Sequence, residues 1–518
     1  MSNFPYSKIV GKISCLSKEK KYKYWNWIIL CIAILLLIII GYSSLSLSIW
    51  SDEVVSLRYM QYSVKEILEI VKGDVHPPLY YFILKFMLLL GHNILGLNEV
   101  FVAKMTSFVP IFLMLVYLGR KIAKNWGLLT GTFFCILIIG MPNILDYGIE
   151  IRTYSWSLFF VTAAFIYGYE CLEDNSRSWI IFTIYSILAA YTHHYACISV
   201  GLIYIYLLLL MPKKQKYLKK WIFSVFVCCI IYLLWFAVTL SQFETVAVGG
   251  GFWISTITSN DIYKYFKFLF QPRADGYNVG LILGSVLASF YLILYITDIF
   301  REEKQNDKIY TQYVHCGAWV LLGTISIGVI VSIILYPVFM AKYMICSMGC
   351  FWLCFAYIIA RSRKKKKFLM IILITIGIIG IIDTLQLVRW EEIKKNYYNE
   401  LSVDILDNIS PEDTILVNHS HLLQCLEYYT SQEVYYINVN EDNVQVQRLN
   451  DNAFNPQVIA WDDDIINKSE GKIWVFQSEN AEGGDIINYL KQPSFTCEYL
   501  GLYHLEYYNF EVYDLKIN

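Results

Sequence analysis

Residues 49–90 read IWSDEVVSLRYMQYSVKEILEIVKGDVHPPLYYFILKFMLLL, and the way this stretch meets a membrane decides the fold. It follows an apolar run from Trp25 to about Leu47, long enough to cross roughly 30 Å of hydrocarbon. That run is too long for a signal-peptide core, so it reads as an uncleaved anchor. Lys8, Lys12, Lys18, Lys20, Lys21 and Lys23 precede it and place its N-terminal side in the cytoplasm. Asp52 and Glu53 then stand just outside the membrane. The final segment, Pro78 to Leu90, is about 13 residues long, short for a crossing, and carries Lys85, so it reads as an interfacial helix.

On that reading, later crossings fall near 99–119, 127–142, 154–172, 179–195, 196–211, 221–241, 279–299, 313–336, 338–360 and 368–388, eleven spans in all. Charge supports the choice. Arg120-Lys121-Lys124, Arg177, Lys213 to Lys220, Arg301-Lys304-Lys308, and Arg361 with Arg363 to Lys367 fall on the inner side. Counting 78–90 as a span would move several of these clusters outside. Composition agrees: 57% of residues are hydrophobic and 16% charged, with mean hydropathy +0.46, against about 25% charged for a soluble average.

A net charge of -1 hides a split. From Glu391 onward there are seven Lys and Arg against 23 Asp and Glu, while the first 390 residues hold 35 against 20. Residues 1–390 therefore read as a polytopic membrane domain, with 50–98 as its first outer loop. Residues 391–518 read as an acidic, extracytoplasmic α/β domain. TILVN, VYYINV, KIWVFQ and the final YHLEYYNFEVYDL read as strands, and Leu422–Tyr429 and Gly484–Lys491 as helices. No basic polar domain of the kind that binds nucleic acid is present. Of 13 cysteines, Cys346, Cys350 and Cys354 recur at helical spacing and read as small buried hydrophobes. Cys425 and Cys497 fall in the tail and could pair in an oxidising compartment.

Candidate chemistry collects on the outer side. Adjacent carboxylates beyond a membrane helix can take a proton from a hydroxyl or hold a divalent ion, although Asp52 could equally cap a helix. The Pro77-Pro78 step fixes the direction of His76, whose plainer reading is a satisfied structural imidazole. YGIEIRTYS brings Glu150, Arg152 and Tyr154 to the outer interface. The guanidinium fork suits phosphate oxygens, and a snorkelling Glu150–Arg152 pair is the competing reading. YTHHYA brings His193 and His194, and FMAKYM brings Lys342 and Tyr343. The outer loop 241–278 holds Gly249-Gly250-Gly251 and Arg273. One face thus collects carboxylates, imidazoles and cations, the parts needed to bind an anionic lipid head group and act on it.

An outer Asp-Glu pair after the first span, the HPPLYY elbow, Glu150-x-Arg152-x-Tyr154, Thr192-His193-His194-Tyr195 and Lys342-Tyr343 form an ordered set over residues 25–360. This set resembles the membrane-embedded GT-C class glycosyltransferases. In particular it resembles a bacterial family related to protein O-mannosyltransferases and to aminoarabinose transferases that modify lipid A. The resemblance implies transfer of one sugar, hexose or pentose, from a polyprenyl phosphate to a lipid, glycan or protein acceptor outside the cell membrane, with inversion. It implies Asp52 as general base, Glu53 toward the acceptor, and His76, Arg152 and Lys342 toward the donor phosphate. His76 stands where aminoarabinose transferases have Lys, Lys342 replaces a more usual Arg, and His193 matches a TH position without an assigned role. No cofactor is expected; a divalent metal is possible but not favoured, since no second carboxylate motif accompanies Asp52.

Two other classes compete. A flippase or transporter predicts mid-membrane charges or two related halves. The deepest charges are Lys104 and Asp383, both toward the outer ends of their spans, and no repeat is visible. A scaffold whose tail is a sensor predicts that Asp52 is dispensable.

Overall fold

The computed structural model describes residues 6–173, 175–211, 215–248, 254–273, 277–301, 305–362, 366–440, 444–449, 456–460, 469, 471–479, 481–491 and 495–517. Gly249-Gly250-Gly251 and Arg363 to Lys365 lie outside them. Each of the eleven stretches expected to span is helical. Among the described residues, seven helices are long and apolar enough to cross a membrane: Lys20–Ser43, Glu99–Trp126, Gln215–Gln242, Asn278–Ile299, Lys308–Ile334, Ala341–Arg361 and Lys367–Asn408. Leu128–Gly140, Ser176–Ala190 and His194–Leu210 are shorter apolar helices, as is Leu79–Ile94. This is a helical membrane protein with a small C-terminal α/β domain.

The chain groups into two compact units. The first comprises 1–42, 71–84 and 104–387; the second comprises 43–70, 85–103 and 388–518.

In the first unit, Tyr154–Cys171 and Ile345–Arg361 are buried along nearly their whole length. Small residues let such helices approach closely. A Cβ on Gly349 would overlap the Thr162 hydroxyl, and one on Gly317 would overlap the Cys350 carbonyl. Cys346, Cys350 and Cys354 are fully buried free thiols in this seam, as their spacing predicts. Inside the outer loop expected at 241–278, Ser259–Phe270 forms a further helix. Asp261 accepts the Thr258 backbone N–H (2.6 Å), and Tyr265, Leu269 and Phe270 are buried, so a cap and an apolar face specify it.

In the second unit, seven strands form one mixed sheet: β1 Thr414–Val417, β2 Val434–Asn438, β3 Gln445–Leu449, β4 Pro456–Ala460, β5 Ile473–Ser478, β6 Phe495–Leu505 and β7 Tyr508–Ile517. Their order is β4-β3-β2-β1-β5-β7-β6. Among the described strands, the parallel pairings are those of β1 with β2 and with β5. TILV and IWVF are continuous apolar runs because a central parallel strand is covered on both faces. The C-terminal run predicted as strand bends at Glu506, whose φ is +53°, and its second half, β7, pairs back onto β6. Helix Ser420–Thr430 follows β1, and helix Ile486–Leu490 follows β5. Cys425 and Cys497 are both free.

Candidate active site

In the first unit the elbow 74–81 is fastened at four points. Val75 N–H donates to Asp74 Oδ1 (2.6 Å), and the Tyr81 hydroxyl donates to Asp74 Oδ2 (2.6 Å). Leu79 N–H donates to the Tyr191 carbonyl (3.0 Å), and the Tyr80 and Ser107 hydroxyls lie 2.9 Å apart. The two tyrosines of HPPLYY thus hold the backbone that the prolines stiffen, and His76 is buried with a fixed direction.

His193 gathers the other motifs. Its ring centre lies 5.3 Å from that of His76, 6.0 Å from Tyr154 and 5.2 Å from Tyr343. Tyr343 stacks on Tyr195 at 5.1 Å, and Lys342 Nζ is 5.4 Å from the centre of the Tyr154 ring. Lys342 and Tyr343 reach this point from the short 3-10 turn Ala341–Met344, and Arg152 from the bends between helices Ile144–Ile149 and Tyr154–Cys171. Arg152 is 7% exposed and Lys342 9%, so two full charges are held largely away from water.

Electrostatics bind the group together. Burial alone would raise the Asp74 carboxyl, but the His76 imidazole, Arg152 and the Tyr81 hydroxyl outweigh it and hold Asp74 at about 2. Its Oδ1 lies 4.0 Å from His76 Nδ1, a charge contact rather than a hydrogen bond. His193, in the turn before helix His194–Leu210, is pushed well below the ordinary imidazole range, first by burial and then by His76, His194, Arg152 and Lys342. It is therefore neutral. Its Nδ1 accepts the Tyr195 backbone N–H (3.1 Å), which leaves the proton on Nε2. That Nε2 is buried with no hydrogen-bond partner among the described residues. The ring lines a mostly apolar cavity of ≈ 200 Å³ with His76, His194, Gln242, Ile198 and Tyr343.

Arg273 belongs to a neighbouring network. Its guanidinium pairs with Asp146 and donates from Nε to Asn143 Oδ1 (3.1 Å), while its backbone N–H donates to Asp383 (3.3 Å). Asn143, with φ +67°, also donates its backbone N–H to Asp383 (2.9 Å). This arrangement fixes the loop, and it gives Asp383 a partner. Glu150 is half-buried, and its carbonyl accepts the Arg152 backbone N–H (2.6 Å).

In the second unit Asp52 and Glu53 occupy the first turn of helix Ser51–Arg58, where the positive end of the helix dipole favours them. Trp50, rather than Asp52, is the N-cap, and Glu53 Oε2 accepts the Trp50 backbone N–H (3.2 Å). Glu53 is buried in that task, while Asp52 is half-buried. The C-terminal domain grips the segment that carries them. The Tyr429 hydroxyl accepts from Ile49 N–H and donates to the Leu47 carbonyl, both at 2.9 Å. His421 Nδ1 lies 2.8 Å from Ser51 Oγ, and the Tyr508 hydroxyl donates to the same Oγ (3.0 Å). Arg58 pairs with Glu427 at 2.5 Å.

Sequence reasoning named His194 beside His193 but gave no role to Asp74 and missed Gln242, and it missed His421, Tyr429 and Tyr508 as partners of the Asp52 segment. Asp74 was visible inside the quoted stretch. Gln242 carries no local signal: it is recognised only through its hydrogen bonds to Val71 O (2.9 Å) and His194 Nε2 (3.2 Å). Among the described residues, no three His, Cys, Asp or Glu side chains form a group suited to a metal ion.

No family model matches the chain, and no curated protein matches it. Solved structures do. The crystal structure of ArnT from Cupriavidus metallidurans in the apo state superposes with a TM-score of 0.60 at 11% identity, over 94% of this chain and 98% of that one. The same protein bound to undecaprenyl phosphate gives 0.56 over the same shares. At this identity the likeness shows the fold alone: this chain shares the helical membrane fold of that protein, followed by a small α/β domain.

Proposed function

We propose that the chain transfers a single sugar from a polyprenyl phosphate to an acceptor on the outer face of the membrane, with inversion. The observation that carries this reading is the gathering of His76, Arg152 and Lys342 around His193 in one buried group. Such a group suits phosphate oxygens. The shared fold with a protein that binds undecaprenyl phosphate supports the choice of lipid.

In this reading the acceptor hydroxyl oxygen forms a bond to the anomeric carbon as the bond from that carbon to the phosphate oxygen breaks. The electron pair leaves with the polyprenyl phosphate, and the hydroxyl proton passes to Asp52. A phosphate is already a good leaving group, so no acid is required. Arg152, Lys342 and His76 offset its growing charge. A carboxylate of ordinary basicity takes the proton late, so holding the acceptor in line supplies much of the rate. One base and no enzyme nucleophile give inversion. The acceptor sits on the exterior side, with the N-terminus cytoplasmic and the α/β domain extracytoplasmic. Transfer proceeds without a metal ion.

The test compares envelope lipids, glycans and surface proteins by mass analysis in cells with wild-type protein, Asp52→Asn or no protein. Loss of one sugar-sized mass increment in both altered strains, with Asp52→Asn present at normal level and product forming in EDTA-treated membranes, is expected. Full product with Asp52→Asn overturns the assignment of the base.

A further inference from the structure

The helix carrying the proposed base is eight residues long, Ser51–Arg58, too short to hold itself in water. At its start Glu53 Oε2 accepts the Trp50 backbone N–H, and Val54 and Leu57 are buried. Residues far along the chain hold the segment as well. Tyr429 spans the backbone of Leu47 and Ile49 before the helix, His421 and Tyr508 converge on the side chain of Ser51, and Glu427 holds Arg58 in its last turn. Three of these four come from one helix, Ser420–Thr430.

We propose that the C-terminal α/β domain is a positioning element for Asp52, acting through Tyr429, His421, Tyr508 and Glu427. The inference rests on the reading of Asp52 as base, and it assigns the domain to the transfer reaction rather than to recognition of a separate partner.

The arrangement is specific to the segment around the base. Contact is made with the residue before it, with the two backbone positions leading into it, and with the end of its helix. Burial, then Cys425 and Glu506, raise the Tyr429 phenol well above its ordinary range, so it remains a donor to Leu47 O at every working pH. A domain held only by general surface burial would not need a buried phenol that both accepts from and donates to the backbone of one short segment. None of the four residues is expected to touch substrate. Their effect passes through the orientation of helix Ser51–Arg58, on which a misplacement of about 1 Å costs on the order of 100-fold in rate.

The experiment uses full-length protein in lipid nanodiscs with His421→Ala, Tyr429→Phe and His421→Asn, the last keeping a polar group at the Ser51 hydroxyl. Three quantities are read: hydrogen exchange over 47–58, affinity for undecaprenyl phosphate, and sugar-transfer product in complemented cells. For the first two variants, exchange over 47–58 should accelerate by about tenfold or more while β1 and β5 remain protected. Affinity for undecaprenyl phosphate should be unchanged, and product should fall by about tenfold. His421→Asn should restore most of both exchange protection and product. Unchanged exchange over 47–58, or full product despite faster exchange, overturns the positioning role. Failure of the transfer reading itself shows separately, as full product from Asp52→Asn.

Discussion

Two charge clusters within the first unit differ in what stands at their centre. On helices Tyr277–Ile299, Gln305–Ile334 and Ile345–Arg361, Asp298 accepts from Arg361 Nε at 2.9 Å and lies 3.1 Å from His315 Nε2 and 3.4 Å from Arg301. Arg361 also donates to the Tyr357 hydroxyl (2.8 Å). A carboxylate at the centre of donors is what a helix seam needs to carry basic residues at its end. The group around His193 has the opposite character. It collects His76, Arg152 and Lys342, and its central imidazole keeps a buried N–H with no acceptor among the described residues. We read the first cluster as structural and the second as the proposed phosphate site.

The largest expected effect separates the two. Arg152→Ala should reduce sugar transfer by about 100- to 1,000-fold, the scale for removing one donor from a developing oxyanion. Its stability cost should stay at about 1 kcal/mol, from the lost support of the Asp74 carboxylate. Asp298→Asn should do the reverse, lowering stability by about 1–3 kcal/mol because its guanidinium partners lose their acceptor. Undecaprenyl phosphate affinity should be preserved. Comparable loss of transfer in both variants, at matched expression, breaks the distinction.

His193→Phe sharpens it. The substitution keeps the ring between His76, Tyr154 and Tyr343 but removes the Nε2 proton and the Nδ1 acceptor of Tyr195 N–H. Affinity for undecaprenyl phosphate should fall by about tenfold, the scale of one hydrogen bond to a charged group, while stability stays within about 1 kcal/mol of wild type. Strong destabilisation with unchanged lipid affinity would make His193 a structural residue.

How much of this was legible depended on the range of the interaction that carried it. HPPLYY, Arg152, Lys342 and His193 were readable because each sits in a local motif at a helix end. The buried cysteines followed from spacing alone. Arg273 shows the limit: its loop position looked available, yet Asp146, Asn143 and Asp383, more than 100 residues away, hold it. Asp383, read with Lys104 as one of the deepest charges, is the other half of the same network. Asp52 was read as a candidate helix cap, but the chain enters its helix at Trp50 and spends Glu53 on the cap. The grip of Tyr429 and His421 on residues 47–51 joins positions about 370 to 380 apart, and no periodicity or composition encodes such a pairing.

Asp74 gives the smallest effect, and its pH dependence has a definite sign. Its carboxyl is held at about 2 against an ordinary value of 3.8, so the folded state favours the ionised form. A depressed carboxyl contributes stability in full above the ordinary value, and that contribution is lost as pH falls toward the folded one. Stability from this group should therefore be flat from pH 5 to 8 and decline between about pH 4 and 2. Asp74→Asn should remove that acid limb and lower stability at neutral pH by about 1–2 kcal/mol. Because Asp74 faces His76 and is not itself a phosphate ligand, transfer should fall only severalfold, through a less firmly held imidazole. Thermal unfolding across pH 3 to 8 checks the first part. A stability step near pH 6 that disappears in Asp74→Asn would mean that the carboxylate serves mainly to keep His76 charged, which would move His76 from the phosphate-binding set into the same structural class as the Asp298 network.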